Sequence, residues 1–258
     1  MELVSSAPAL DVSAPGTNGR SRWGLWATLG WSVPIVGVMI LSQTLGALAF
    51  LKLWQVFHPR APISLAHIDS NGAVLAFSLA VSAPIVLAIV AVVIRFSRVP
   101  LREYLALKWP NWRELGVGVG VLALTLFCAG VAAELTGQES PAFIADTFNS
   151  AREAGLLPLL AFSFVFLAPL QEEVLFRGFL YRGFAPALGM WPAIVLVSAM
   201  WAITHVQYQW FFVGEIFLLG LAFGWLRAKT GSLLLTFILH ATVNAMAIVE
   251  AFVVTSSS

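Results

Sequence analysis

Five long stretches of the chain carry no Asp, Glu, Lys or Arg, and they decide what it can fold into. Twenty-nine such residues separate Arg22 from Lys52, and 25 separate Asp69 from Arg95. Glu114 to Glu134 encloses 19, Glu153 to Glu172 encloses 18, and Lys229 to Glu250 encloses 20. A helix crossing the hydrocarbon core of a bilayer needs about 20 apolar residues. The stretch from Arg182 to Arg227 is interrupted only by His205 and Glu215, which leaves room for two more spans. The pattern predicts an all-α polytopic transmembrane helix bundle of seven spans, near 25–51, 71–94, 115–135, 156–181, 191–207, 209–226 and 232–253. An eighth is added if residues 96–113 enter the bilayer. Their mixture of Arg and Lys with Tyr104, Trp109 and Trp112 suits a helix lying at the headgroups, or a solvated basic loop.

Composition narrows the class further. Hydrophobic residues make up 59% of the 258 and charged residues only 10%, against roughly 25% charged in an average soluble domain. Such a chain is neither disordered nor a nucleic-acid binder with a basic face, so no nucleic-acid partner is expected. A single cysteine, Cys128, rules out an intrachain disulfide framework. Residues 1–20, rich in Ser, Ala, Pro and Gly, read as a disordered N-terminal tail, and 21–258 as a single transmembrane bundle. Ala47-Leu48-Ala49 mimics a signal-peptide cleavage site, but the apolar run before it far exceeds the ~7–15 residues of a signal core, so the first span is read as retained. Lys and Arg divide unevenly between the two ends of the spans. Lys52, Arg60 and Arg152 fall on one side and the other eleven on the opposite side. That bias places the N-terminus in the cytoplasm, in an integral protein of the plasma (cell inner) membrane. No inverted repeat of the transporter kind is visible.

Ionisable groups inside a bilayer are costly, so each is a candidate for function. Here they cluster. The fourth span holds Glu172, Glu173 and Arg177, the fifth ends at Trp201-Ala202-Ile203-Thr204-His205, and the seventh holds His240 and Asn244. Glu173 and Arg177 stand four apart on one helix face and can pair. Glu172 lies about 100° round the helix from Glu173 and points elsewhere. His240 and Asn244 also share a face. Glu172, His205, His240 and Asn244 can then converge in the bundle interior. A carboxylate in a poorly solvated pocket serves as general base towards water, and a histidine beside it holds that water or carries its proton to a leaving amine. A second histidine and an amide can donate to the oxyanion of a tetrahedral intermediate. No serine or cysteine nucleophile sits in these clusters, so water is the expected attacker.

The constellation resembles the CPBP family of intramembrane proteases, which includes the type 2 CAAX prenyl proteases and the bacterial Abi-type branch. The family pattern is E-E-x-x-x-R, then F-x-x-x-H, then H-x-x-x-N. This chain has Glu172-Glu173…Arg177, Trp201…His205 and His240…Asn244, with Thr230-Gly231-Ser232-Leu233 upstream of the last histidine. The likeness covers about 155–250, the protease-like core. It implies an intramembrane endopeptidase of membrane-embedded or lipidated protein and peptide substrates, CAAX-type tails among them. It implies Glu172 as water-activating base assisted by His205, His240 and Asn244 as oxyanion site, and Arg177 as structural partner of Glu173. Trp201 departs from the family's Phe but is expected to pack on His205. Glu215 has no role in the pattern and is expected near the outer interface, or paired with His205. Zinc held by Glu172, His205 and His240 is an alternative, but the compact H-E-x-x-H is missing and a metal-free glutamate mechanism is favoured. A non-catalytic scaffold retaining the fold, such as an immunity or signalling partner, is the rival from another class, and a small transporter or channel is a third.

Overall fold

A computed structural model describes residues 23–61 and 63–256. The expected tail at 1–20 lies outside these residues, as does Arg22. The described chain is helical, with no strand. Its principal helices are α1 (Leu25–Phe57), α2 (Gly72–Phe96), α3 (Leu101–Tyr104), α4 (Trp112–Thr136) and α5 (Ala142–Glu153). They continue with α6 (Leu157–Leu188), α7 (Met190–Ile203), α8 (Trp210–Thr230) and α9 (Leu233–Ser256). Six of them (α1, α2, α4, α6, α8 and α9) are long and apolar enough to cross a bilayer. The chain is an integral membrane helical bundle.

Two expectations are refined. The fifth span, drawn at 191–207, is a 14-residue helix that stops at Ile203; at 1.5 Å per residue it is about 21 Å long, short of the ~30 Å core. The 96–113 region supplies no eighth span. It holds only the four-residue α3, whose Tyr104 is fully buried and stacked on Phe179 at 6.1 Å. Burial pushes that phenol up to about 12, against the pull of Arg182. The first span runs unbroken through Ala47–Ala49.

Local sequence explains the boundaries. Asn71 caps α2 by accepting from the Val74 N–H at 3.1 Å. Asn111 and Glu114 form a reciprocal capping box on α4, both bonds 2.9 Å, which satisfies two otherwise orphaned N–H groups. Between α6 and α7 the chain reverses at Gly189 alone, with φ +84°, a conformation that L side chains resist. Gly220 and Gly224 on α8 let α7 approach so closely that an added Cβ would lie 2.8 Å from Ser198 Cβ and Ile194 Cγ2 respectively, the small-residue packing expected where bilayer helices must touch.

The amphipathic α5 is clamped to the start of α2. The Gly72 N–H donates to Ser150 Oγ at 2.8 Å, and Thr147 Oγ1 donates to the Ser70 carbonyl at 3.2 Å. A Cβ on Gly72 would run into the Thr147 carbonyl, which is backbone and cannot rotate away. Gly72→Ala is therefore expected to cost about 1–3 kcal/mol, as overpacking does, and to lower the melting temperature in detergent.

Candidate active site

Helix α6 is the scaffold of the site, and it is not a regular α-helix. Wider π-helical turns at Ser163–Leu167 and Val174–Leu180 flank the α-helical Ala168–Glu173, and such turns recur at functional sites. The first has a consequence readable from the sequence around it. In its register Ala168 N–H bonds to Ser163 O, so the Phe164 carbonyl would next receive residue 169. That residue is Pro169, which has no N–H. The Asn244 side chain fills the place, its Nδ2 donating to Phe164 O at 2.7 Å. One N–H of Asn244 is thus committed to joining α9 to α6, and an amide nitrogen carries two.

The adjacent carboxylates of α6 go to different partners. Glu173 is fully buried, and its Oε1 accepts from Arg177 Nη1 and from His240 Nδ1, both at 3.1 Å. Because a carboxylate can only accept, the proton of His240 sits on Nδ1, which fixes the ring and turns Nε2 towards Glu172 Oε2 at 3.8 Å. Glu172 keeps 22% of its side chain exposed and lines the cavity. The guanidinium of Arg177, 1% exposed, lies 4.1 Å over the Trp201 ring and 5.7 Å from the Phe223 ring.

Trp201 joins these groups. Its Nε1–H donates to Glu172 Oε2 at 2.5 Å, and its ring meets His205 and His240 edge-on with centroids 5.4 and 5.2 Å away. His205 lies in the turn after α7 rather than on a span. Its Nδ1 contacts the Trp201 carbonyl at 3.0 Å; a carbonyl cannot donate, so Nδ1 holds the proton and Nε2 keeps its lone pair. All six residues singled out in the sequence thus belong to one neighbourhood. Four of them (Glu172, His205, His240 and Asn244) line a single cavity of about 850 Å³, whose remaining wall is largely apolar side chains such as Leu48, Leu79, Ile144 and Val243. The sequence arithmetic put Glu172 near the end of a span ending at 181; α6 runs on to Leu188, which sets Glu172 at mid-length.

Two lining residues, Gln171 and Tyr208, escaped the sequence reading. Gln171 is buried, its Oε1 having no hydrogen-bond partner among the described residues, an acceptor beside Glu172. Tyr208 packs on Phe143 of α5 at 5.2 Å and on His205 at 6.3 Å, close enough to Glu172 to feel its charge. Glu215 also lines the cavity and, among the described residues, forms no ion pair, with His205 or otherwise. Its signal was present as a lone acid in an apolar run, but a partner-free acid has no spacing to decode. As for zinc, no three of His, Cys, Asp and Glu among the described residues are gathered so as to hold a metal ion. Glu172 is tied to an indole N–H and His205 stands across the Trp201 ring, so the donor set does not fit as arranged and no step is derived through a metal.

Residues 154–246 match the family model described as type II CAAX prenyl endopeptidase Rce1-like. The segment starts just before α6 and ends within α9, and contains every residue of the constellation. An Escherichia coli protein described as an uncharacterized 24.3 kDa protein is 39% identical over 77 residues, covering 29% of this chain and 36% of the relative. The match therefore spans about a third of that relative's length. No solved structure matches the chain.

Proposed function

We propose, on the Rce1-like segment and the convergence of Glu172, His205 and His240 around Trp201, that the protein is an intramembrane endopeptidase using a Glu172-activated water. The convergence carries the reading: groups from three helices and a turn meet at one indole on a cavity wall. A water held between Glu172 and the His205 Nε2 lone pair loses a proton to the carboxylate as its oxygen attacks the peptide carbonyl carbon. The carbonyl π pair moves onto oxygen. His240 and the second N–H of Asn244 are the donors for that oxyanion. A ring donating from both nitrogens is an imidazolium, and Glu173, 3.1 Å from Nδ1, is its counter-ion once Glu172 has taken up the proton. The C–N bond then breaks, and the proton taken up by Glu172 passes to the departing amine, assisted by His205. Arg177 holds Glu173, and Glu173 holds His240.

The apolar cavity wall suits substrates presented from the membrane, with lipidated CAAX-type tails as the class the resemblance points to. The uneven division of Lys and Arg supports a cytoplasmic N-terminus. The test is cleavage of quenched fluorescent, membrane-anchored peptides by the protein in vesicles. His205→Ala is expected to slow turnover about 10²-fold or more, and an unchanged rate would overturn the assignment. Trp201→Phe keeps an aromatic ring against both histidines and removes the donor to Glu172. A hydrogen bond to a charged group is worth about 1.5–3 kcal/mol, so kcat is expected to fall about tenfold or more, with KM little changed. An unchanged kcat would show that the indole N–H does not orient the base.

A further inference from the structure

One end of the bundle gathers positive charge that its own carboxylates do not answer. Arg95, Arg98, Arg102, Lys108, Arg113 and Lys229 lie at the ends of α2 and α8, on α3 and where α4 begins, with Arg182 and Arg227 set deeper between the helices. The acids of this end among the described residues are Glu103 and Glu114. Glu114 is spent on Lys108 at 2.9 Å and on the Asn111 N–H, while Glu103 is exposed on α3 and forms no ion pair.

Arg227 is the anomaly. It is 6% exposed, its Nε has no hydrogen-bond partner, and none of its nitrogens makes an ion pair among the described residues. Its guanidinium lies 5.9 Å from the Tyr181 ring, and its electrostatic neighbours are Tyr181, Arg182 and Glu173. Glu173 is already committed to Arg177 and His240. Arg182 is likewise without an ion-pair partner and stands 5.7 Å from the Tyr104 ring. Two guanidinium groups, one almost wholly buried, thus face each other's field with tyrosine rings beside them and, among the described residues, no carboxylate paired with either. A buried charge is normally paired, and the guanidinium fork matches phosphate oxygens bidentately.

We propose that Arg182 and Arg227, flanked by Tyr104 and Tyr181, together bind a phosphate group, supplied by the head group of an anionic lipid in the adjoining leaflet. Basic pockets between helices at a membrane surface have this use, with each cation near an anionic surface contributing about a fivefold gain in affinity. The site is separate from the peptidase reading and does not depend on it. Its occupant would bridge α6, which carries Glu172 and Glu173, to α8, which carries Phe223 against His240.

The experiment is native mass spectrometry of the full chain in neutral detergent, offered phosphatidylglycerol, phosphatidylcholine or inorganic phosphate. Wild type is expected to retain phosphatidylglycerol well above phosphatidylcholine. Arg182→Gln and Arg227→Gln should each cut that retention about five- to tenfold, whereas Lys108→Gln, whose partner is Glu114, should leave it unchanged. Displacement of the lipid by inorganic phosphate would support the same site with the free ion as its source. Wild-type retention in both arginine variants would overturn the proposal, as would equal retention of the two lipids. An equal loss in Lys108→Gln would also overturn it, by reducing the effect to diffuse surface charge. Arg182 is partly exposed, so its variant reads the site even if the Arg227 variant folds poorly.

Discussion

Glu172→Gln is expected to slow peptide hydrolysis by about 10²–10⁴-fold, the usual contribution of a positioned general base, with no comparable loss of stability. The glutamine carbonyl still accepts from the Trp201 N–H, so the bond that is 2.5 Å long in the wild type has a counterpart in the variant. Its volume is the same, and it sits on a wall that already touches the cavity. Substitutions that spare packing and partners stay within about 0.5 kcal/mol. The informative comparison is therefore cleavage rate against melting temperature in the same preparation. A variant that folds and still cleaves at the wild-type rate would remove Glu172 from the chemistry. A cellular phenotype that survives the substitution would instead favour a scaffold built on the same fold.

The opposite profile is expected at Arg177. Arg177→Met leaves Glu173 as a buried carboxylate with His240 and Thr236 as its remaining partners, and strips the cation from the faces of Trp201 and Phe223. Breaking one side of a buried ion pair costs about 3–5 kcal/mol, so the single variant should melt far below wild type or fail to insert. Adding Glu173→Gln should recover much of that stability, since the buried charge is removed from both sides. Activity should not return, because the amide carbonyl still accepts from His240 Nδ1 but carries no charge to balance the imidazolium of the proposed mechanism. Recovery of cleavage in the double variant would mean that Glu173 and Arg177 only pack. Equal melting of the single variant and wild type would mean that the pair contributes nothing to the fold.

The two variants are expected to separate because neighbouring residues on one helix have different partners, and that much was visible in the chain itself. At 100° per residue, Glu173 must share a face with Arg177 while Glu172 turns away. The charge-free runs likewise required membrane helices, since hydrocarbon leaves the backbone no partner but itself. The charge-free run past Ile203, in contrast, concealed a helix end. Hydropathy registers what surrounds a residue, not where hydrogen bonding stops, so His205 was read onto a span and is found in a turn. Gln171 was passed over, and Glu215 was given no role in the pattern, for a related reason: what they share is a cavity assembled from distant segments.

What the sequence determined by itself was therefore whatever is local and periodic: most of the spans, the Glu173–Arg177 face, the His240–Asn244 face and the family-like spacing over about 155–250. Only the tertiary structure decided which nitrogen meets which oxygen across helices. Trp201 reaches Glu172 over 29 intervening steps of chain, and Asn244 takes the carbonyl that Pro169 leaves free because a π turn has shifted the register of α6. The reason is one of range. A helix fixes its own angles within a turn or two, whereas the meeting of side chains from separate helices depends on crossing positions set by the packing of the whole bundle.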